Sequence, residues 1–274
     1  MTIVADLHVH TQASDGILSA AAVVELAQAK GLAAMAITDH DTVDGVQEAQ
    51  SRGRKIGVKI IPGVEMSTEH QSREIHILGF YIDPQSKILN QLLQQLRSSR
   101  YERMKKMVSI LRNLGYRIDI QEVLQKSGDA APSRPHVARV LVEKGYFKTV
   151  SEVFHTLLDR GLPAYVERFK LTPALAIEAI KAAGGLACWA HPGLVGNNEL
   201  LPLLITAGLQ GLEIFHPDHH LQQEKQYLQL AAKHQLLVAG GSDYHGPEAG
   251  RERELAIRGL NAAGYHNFIG YCQS

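Results

Sequence analysis

The sequence of 274 residues is short of cysteine, of net charge and of long apolar runs. Lys and Arg number 28, the same as Asp and Glu, so no broad basic surface for nucleic acid or membranes is predicted. Cys188 and Cys272 form no C-x-x-C pair and imply no disulfide framework. No signal peptide and no apolar run of membrane-spanning length is visible. These absences predict a soluble cytoplasmic protein that binds neither DNA duplexes nor membranes.

Histidine is abundant, and the placement of the 14 His residues carries more information than their number. The motif Asp6-Leu7-His8-Val9-His10 follows a short apolar run that predicts a buried strand. Residues two apart on a strand point the same way, so His8 and His10 project together from its end. Two neutral imidazoles side by side suit a divalent metal ion, although a His-x-His pair alone also arises by chance.

Short apolar strands alternate with helices along most of the chain, which predicts an α/β fold with a largely parallel sheet. Ser19 and Thr172-Pro173 have the character of helix starts. The final segment, 254–271, gives no clear signal. The predicted strands lie at 3–7, 33–37, 60–61, 74–82, 186–190, 212–215 and 236–239.

A long helical segment interrupts this alternation. About a hundred residues separate the fourth and fifth predicted strands, far more than a crossover connection needs. We therefore predict a barrel domain formed by 1–85 and 171–274, with a helical insertion at 86–170. The helices predicted within the insertion lie at 87–114, 120–126, 136–144 and 150–159.

A metal-capable residue follows or lies within each of the seven predicted strands. Taken alone, each has a structural explanation as a cap, a turn former or a core residue. The repetition of such a residue at all seven strands instead favours one shared site, because barrels of alternating strands and helices place their active sites at the C-terminal ends of the strands. The residues are His8 and His10, His40, Glu65, His76, His191, His216, and the pair Asp243 and His245.

This ligand set contains imidazole and carboxylate but no thiolate, which suits Mn²⁺, Zn²⁺ or Fe²⁺. It is too large for one ion, so it predicts a cluster of two or three divalent ions, with Mn²⁺ expected first. Such a cluster can hold a bridging hydroxide at neutral pH and neutralise phosphoryl oxygens and a leaving alkoxide. The predicted reaction is hydrolysis of a phosphate ester by attack of that hydroxide.

Six motifs spread over the chain resemble those of the PHP (polymerase and histidinol phosphatase) family. They are Asp6-Leu7-His8-Val9-His10, Thr38-Asp39-His40-Asp41, Pro62-Gly63-Val64-Glu65, Glu74-Ile75-His76-Ile77-Leu78-Gly79, Ala190-His191-Pro192 and Gly241-Ser242-Asp243-Tyr244-His245. The resemblance implies a distorted seven-stranded (β/α)7 barrel and a trinuclear metal site. It assigns the first ion to His8, His10, Glu65 and Asp243, the second to Glu65, His76 and His191, and the third to Asp15, His40 and His245.

The insertion contains Ser133-Arg134-Pro135-His136-Val137-Ala138-Arg139, which resembles the PHP subgroup of 3′,5′-nucleoside bisphosphate phosphatases and 5′-3′ exoribonucleases. In that subgroup the insertion covers the barrel mouth. Ser133 predicts a helix cap, and the free N–H groups of a helix N-terminus favour phosphate. Arg134 adds a planar guanidinium group that can bind a phosphate through two hydrogen bonds, and His136 could add a further hydrogen-bond donor. We expect Ser133, Arg134 and His136 to hold a second phosphate while the metals cleave the first.

The predicted catalytic residues are Glu65, which bridges two ions, together with Asp243 and His216. His216 is a candidate for proton transfer or substrate contact, and equally for a polar residue that only lines the mouth. The expected substrate is a 3′,5′-nucleoside bisphosphate or the 5′ end of a short RNA. Two alternatives stay open: a histidinol-phosphatase-like enzyme for a small molecule, and a non-catalytic PHP module that serves as an interaction domain.

Overall fold

The computed structural model describes residues 2–128, 132–167, 169–196, 198–246 and 253–273. The chain divides into two compact units. The barrel unit consists of Met1–Leu92 and Lys170–Ser274, and the insertion unit consists of Leu93–Phe169. In the described residues no helix combines the length and the apolar character that crossing a bilayer requires.

Seven strands form one sheet in the barrel unit, in the order in which they occur along the chain. Strand β3 is much longer than predicted, because it continues past Pro62 and Glu65. The strands are β1 (Ala5–Asp6), β2 (Ala34–Ile37), β3 (Lys59–His70), β4 (Arg73–Phe80), β5 (Leu186–Trp189), β6 (Gly211–Phe215) and β7 (Leu237–Gly240).

Strand β4 runs against the direction of the others. It is antiparallel to both β3 and β5, whereas the remaining neighbours pair in parallel. A tight turn at Gln71 and Ser72, with φ of 47° and 67°, joins β3 to β4 as a hairpin. Such turns usually carry Asn-Gly or Asp-Gly. The sequence therefore did not reveal the hairpin. The prediction that the third strand ends before Glu65 is wrong, because Glu65 lies within β3. His76 lies inside its strand as predicted, although that strand, β4, is reversed.

The sheet closes through the segments that follow β1 and β7. Leu7 N donates to Gly240 O at 3.1 Å, and His10 N donates to Tyr244 O at 2.9 Å. At Gly241 the two segments come so close that a Cβ atom would overlap the backbone nitrogen of His8. The predicted distorted seven-stranded barrel is thus confirmed.

Helices connect the strands of the barrel unit and make up the insertion unit. In chain order they are α1 (Ala20–Ala29), α2 (Asp44–Ile56), α3 (Lys87–Asn113), α4 (Ile120–Ser127), α5 (Arg134–Glu143), α6 (Val150–Val153), α7 (Pro173–Ala182), α8 (Pro192–Val195), α9 (Leu201–Thr206), α10 (Leu221–His234) and α11 (Ala262–Gln273). The predicted caps at Ser19 and Thr172 are confirmed, since their hydroxyl oxygens accept from Ala22 N and Leu175 N. Helix α11 lies in the segment for which no element could be predicted.

Apolar and polar side chains alternate at the start of the chain. Ala5 and Leu7 lie in an apolar cluster with residues of β2, β7 and α11. Asp6 and His8, which alternate with them, are also fully buried but take part in polar contacts. The alternation therefore gives β1 one apolar face and one polar face, and the polar face contributes to the site described below.

The insertion unit has an apolar core of its own. α3 begins in the barrel unit and its larger part lies in the insertion unit. α6 is followed directly by one turn of π-helix, Phe154–Leu158, where the sequence predicts a single regular helix over 150–159. The buried core residues are Met104, Met107, Val108, Leu111, Ile118, Val123, Val137, Ala138, Val140, Leu141, Val153, Leu157, Leu158 and Ala164.

Candidate metal centre

The nine side chains predicted as metal ligands all lie in the barrel unit, and they come together. Seven of them lie in the loops that follow four of the strands, and two lie within strands. Two follow β1, one lies in the loop after them, one follows β2, one lies in β3, one in β4, one follows β5 and two follow β7: His8, His10, Asp15, His40, Glu65, His76, His191, Asp243 and His245.

Glu65 is at the centre of this group and is 1% exposed. Its Oε2 lies 3.2 Å from His8 Nε2, 3.2 Å from His10 Nε2 and 3.1 Å from His40 Nδ1. One oxygen of a single carboxylate thus faces three imidazole nitrogens that come from two different strands.

The other oxygen of Glu65 faces a second set of imidazoles. Glu65 Oε1 lies 2.7 Å from His76 Nδ1 and 3.1 Å from His191 Nε2. Because the two oxygens face different histidines, the carboxylate has the arrangement of a group that can bridge two cations.

Three groups of side chains bring their ligand atoms close enough to hold a metal ion. The first group has the four members that the resemblance implies, and the third has its three implied members together with His10. In the second group His40 stands where the resemblance implies His191. The groups are His8, His10, Glu65 and Asp243; His40, Glu65 and His76; and His10, Asp15, His40 and His245.

Many polar atoms at this site are buried without a hydrogen-bond partner. Burying such atoms is costly unless something else binds them. Imidazole and carboxylate donors without thiolate fit Mn²⁺, Zn²⁺ or Fe²⁺. A divalent ion is therefore a chemically matched partner for the atoms that belong to the residue groups able to hold one, which are His8 Nε2, both ring nitrogens of His10, Asp15 Oδ1, His40 Nδ1 and Glu65 Oε2.

The three carboxylates of the site stay ionised. Burial alone would raise the pKa of Glu65, but the imidazoles of His40, His8 and His76 hold it well below its usual range. The same opposition, burial against neighbouring imidazoles, keeps the pKa values of Asp15 and Asp243 low. Glu65, Asp15 and Asp243 thus place negative charge at the site, which a divalent cation can compensate.

The histidines differ in how burial and the carboxylates balance. Burial lowers the pKa of His40 to about 4, so this ring is neutral and able to bind metal at physiological pH. Burial also disfavours the charged form of His10, but Asp243 and Glu65 raise its pKa to about 10. A metal ion bound at His10 therefore displaces a proton.

Glu213 in β6 is a buried carboxylate at the site that was not singled out from the sequence. It is fully buried, and its Oε1 lies 2.9 Å from His8 Nδ1. Its Oε2 accepts a hydrogen bond of 2.8 Å from His191 N. A signal was present in the sequence, because a carboxylate stands between Leu212 and Ile214 in a predicted apolar strand.

Two further buried carboxylates hold the loops that carry the ligands. Asp39 accepts hydrogen bonds from Thr11 N at 2.7 Å and from Ser14 Oγ at 2.6 Å. Asp6 accepts from Ser242 N at 2.9 Å and from Ser242 Oγ at 2.6 Å. Both stand in the quoted motifs, next to or near a predicted ligand, but no role of their own was predicted for them.

His216, the predicted catalytic or substrate-binding histidine, also lies at the site. It is fully buried, and its Nε2 lies 3.5 Å from Asp243 Oδ2. Its Nδ1 accepts a hydrogen bond of 3.2 Å from Asp218 N. Arg253, which the sequence did not single out, forms ion pairs with both Asp243 and Asp218.

The predicted phosphate contacts lie in the insertion unit, at the start of α5. Ser133 is the N-cap residue, and its N donates to His136 Nδ1 at 3.1 Å. His136 is 3% exposed. The Arg134 guanidinium lies 5.3 Å from the centre of the Phe154 ring, and its Nη1 donates to Leu158 O at 3.4 Å. The helix start predicted at Ser133 is present in the structure.

Comparison with characterised proteins identifies relatives along nearly the whole chain. The PHP domain pattern matches residues 6–273. A 3′,5′-nucleoside bisphosphate phosphatase of Chromobacterium violaceum is 34% identical over 254 residues, which cover 90% of this chain and 89% of the relative. A phosphoribosyl 1,2-cyclic phosphate 1,2-diphosphodiesterase of Eggerthella lenta is 31% identical over 260 residues, 93% of this chain and 99% of the relative.

A 5′-3′ exoribonuclease of Haemophilus influenzae is 32% identical over an alignment of 276 positions, which covers 93% of this chain and 96% of the relative. Among solved structures, a candidate metal-dependent phosphoesterase from Bifidobacterium adolescentis superposes with a TM-score of 0.88 at 31% identity. The superposition covers 97% of this chain and 96% of that one. The chain therefore belongs to the PHP family and is a metal-dependent phosphoester hydrolase.

Proposed function

We propose that this enzyme removes a phosphate from a small nucleotide, either a 3′,5′-nucleoside bisphosphate or the 5′ end of a short RNA. The nine ligands described above would hold two or three divalent ions, with Mn²⁺ the proposed metal. One observation carries the proposal: the two oxygens of Glu65 face different sets of imidazoles. That arrangement suits adjacent cations that share one phosphoryl group.

Glu65 and Asp243 are proposed to organise the reacting centre. Divalent ions bound there supply an activated water at neutral pH and neutralise charge on the phosphoryl oxygens. Glu65 would contact an ion with each of its oxygens. Asp243 Oδ1 lies 3.4 Å from His8 Nε2 and 3.2 Å from His10 Nε2, so it would complete the set around the first ion.

His216 is the proposed proton donor to the leaving oxygen. Because its Nδ1 accepts from Asp218 N, the neutral ring carries its proton on Nε2. Nε2 is buried without a hydrogen-bond partner and faces Asp243. A proton at that atom lies beside the Asp243 carboxylate, from where it could be transferred to a substrate oxygen bound at the site.

The substrate class rests on the relatives and on Arg134. Two relatives are named for a 3′,5′-nucleoside bisphosphate and for 5′-3′ degradation of RNA, and both substrates carry more than one phosphate. We propose that Arg134, at the N-terminus of the 10-residue helix α5, contacts the second phosphate. Ser133 and His136 are proposed to hold that helix start in shape through their mutual hydrogen bond.

A second candidate substrate is a cyclic phosphate diester. It is favoured by the Eggerthella lenta relative, which this chain matches over 99% of the relative's length. Hydrolysis of a diester would use the same ligands, since the attacking water and the phosphoryl oxygens need the same cations.

A substrate panel tests the proposal. The protein would be stripped with a chelator, reloaded with Mn²⁺, Zn²⁺ or Fe²⁺, and offered six compounds at equal concentration. They are adenosine 3′,5′-bisphosphate, adenosine 5′-monophosphate, a 5′-phosphorylated oligoribonucleotide, its 5′-hydroxyl counterpart, a phosphoribosyl 1,2-cyclic phosphate and histidinol phosphate. We expect Mn²⁺ to give the fastest turnover, with the bisphosphate or the 5′-phosphorylated oligoribonucleotide preferred over the monophosphate.

Each other result points to a different function. Preference for the cyclic phosphate would assign the second candidate. Preference for histidinol phosphate would assign a small-molecule phosphatase. No turnover of any compound by a fully metal-loaded protein would overturn the proposed substrate class.

A further inference from the structure

Glu213 connects two candidate ligands that come from opposite parts of the site. Its Oε1 is 2.9 Å from the Nδ1 atom of the His8 ring. Its Oε2 accepts from the backbone N of His191 at 2.8 Å. His8 follows β1 and faces Glu65 Oε2, whereas His191 follows β5 and faces Glu65 Oε1.

We propose that Glu213 is a positioning residue that fixes His8 and His191 together and so sets the geometry of two neighbouring metal positions. The inference rests on the proposed metal centre and deepens it. With Nδ1 of His8 donating to Glu213, the Nε2 lone pair points to the atoms of Glu65 and Asp243, which lie 3.2 Å and 3.4 Å away. The other oxygen of Glu213 accepts a hydrogen bond from His191 N and so fixes the backbone of His191 in the position from which its Nε2 reaches Glu65.

Only a carboxylate satisfies both partners. The His8 ring and the His191 backbone each offer an N–H group, so the residue between them must accept twice, once with each oxygen. A carboxylate has two acceptor oxygens, whereas the side-chain amide of Gln has one acceptor oxygen and an NH₂ group. In Glu213→Gln, either the His8 ring N–H or the His191 backbone N–H would face the NH₂ group of the glutamine, which is itself a donor. Such outer hydrogen bonds orient a metal-binding imidazole and select its tautomer.

The backbone around Glu213 and His191 supports this assignment. Glu213 pairs with Ala239 of β7, and its side chain is fully buried, with both oxygens in contact with candidate ligands. His191 has φ of 30°, an uncommon value for a residue other than glycine. A conformation of that kind persists where surrounding contacts hold it, and the hydrogen bond from His191 N to Glu213 is such a contact.

The experiment compares Glu213→Gln with Glu224→Gln. Glu224 lies on α10, immediately after β6, with a side chain that is 12% exposed and whose Oε1 is 3.8 Å from Arg258 Nε. The control therefore makes the same chemical change in a mostly buried glutamate whose ion-pair partner is not a candidate ligand. Zn²⁺ is the probe, because it is diamagnetic. Its affinity would be measured by competition with a chromophoric chelator, and the ions bound per chain would be counted.

The second readout is the His8 ring itself. In Zn²⁺-loaded wild-type protein with ¹⁵N-labelled histidine, His8 should carry its proton on Nδ1, with slow solvent exchange. Glu213→Gln should weaken Zn²⁺ binding by about 10- to 100-fold and speed that exchange. Glu224→Gln should leave both readouts at the wild-type level. If Glu213 only filled space, its substitution would not change the exchange rate of the His8 Nδ1 proton.

The outcomes separate this inference from the proposed function. Weaker Zn²⁺ binding in Glu213→Gln supports the positioning role even where the wild type hydrolyses no compound of the panel. Wild-type affinity in Glu213→Gln, in a protein that does hydrolyse the panel, overturns the positioning role alone. If Glu213→Gln does not fold, the wild-type spectrum decides: a proton on His8 Nε2 or rapid exchange at Nδ1 overturns the inference, and a protected Nδ1–H supports it.

Discussion

The barrel unit and the insertion unit bury different kinds of side chain. In the barrel unit, His8, Glu65 and Asp243 are at most 5% exposed and surround one another. In the insertion unit the buried cluster is apolar, and ion pairs such as Lys126–Glu143 lie on the surface. Burying charge is expensive and is seldom the best way to stabilise a fold. The difference therefore separates a part of the chain arranged for chemistry from a part stabilised by ordinary packing.

The backbone shows the same contrast. Among the described residues of the insertion unit, left-handed φ values occur at glycines such as Gly115 and Gly145. In the barrel unit they also occur at Asp41, His191 and Asp243, two of which are candidate ligands. Strain at residues other than glycine is tolerated where surrounding contacts enforce it, and it concentrates at functional sites. Four substitutions test how far this division between the two units holds.

The largest effect is expected at Glu65. Glu65→Gln removes the charge that both sets of imidazoles share, so turnover should fall by more than the roughly 100-fold that loss of an outer hydrogen-bond partner costs. The Mn²⁺ content per chain should fall with it, while circular dichroism should still show a folded barrel. Glu69→Gln, four residues further along β3, is the matched control, since Glu69 pairs with Lys170 instead. A fully active Glu65→Gln enzyme would contradict the bridging role.

The next effect is one of stability, in the insertion unit. Leu141 is fully buried in its apolar core, so Leu141→Ala should lower the free energy of unfolding of this unit by about 2–5 kcal/mol. Mn²⁺ content should not change, because the ligands belong to the barrel unit. Urea denaturation and metal analysis measure the two quantities, and Leu114→Ala, at a leucine that is 48% exposed, is the control. Loss of bound Mn²⁺ in Leu141→Ala would show that metal binding also depends on the packing of the insertion unit.

Arg134 tests whether the insertion unit contributes to substrate binding. Arg134→Ala should weaken binding of adenosine 3′,5′-bisphosphate by about 1.5–3 kcal/mol, the range for a hydrogen bond to a charged group, and should affect the 5′-monophosphate far less. Competitive inhibition by each compound gives both affinities. Arg139→Ala on the same helix is the control. Equal losses for both compounds would mean that Arg134 holds the reacting phosphate, and no loss would leave it a role in the packing of α5 only.

The smallest effect is expected at the surface of the insertion unit. The side chains of Lys126 and Glu143 are 40% and 54% exposed, although their charged atoms lie 2.7 Å apart. Exposed pairs of this kind contribute less than about 1 kcal/mol, so Lys126→Ala should barely change the free energy of unfolding. The small difference from wild type should disappear at high salt. A loss comparable to that of Leu141→Ala would show that surface charge stabilises this unit.

The sequence predicted which side chains come together better than it predicted the path of the chain between them. His8, His10 and His40 follow short apolar strands, and a period of two is enough to aim their side chains. The reversal of β4 could not be predicted, because Gln71 and Ser72 adopt left-handed conformations without the glycine or asparagine that usually announces them. His76 still reaches the site, because a side chain inside a reversed strand points to the same interior.

Glu213 and α11 were missed for different physical reasons. A glutamate within an apolar strand gives no hint of its partners, since His8 and His191 are distant in sequence and meet it only after the barrel closes. The helix α11 contains two glycines, Gly264 and Gly270, which weaken its local signal. Its Phe268 is buried against the apolar cluster of the barrel, so packing stabilises a helix that local propensity does not predict.

Gly241 shows how narrowly the sequence is constrained around such a centre. It offers no ligand atom and no charge, yet a methyl group in its place would overlap the backbone of His8. The clash would push β1 away from β7 and move His8 out of its group of candidate ligands. A larger side chain at position 241 would therefore weaken cation binding without touching a cation. In a library that samples every amino acid at this position, glycine is the residue that keeps both strands in place. A genetic screen would therefore score position 241 as essential, although what it contributes is empty space.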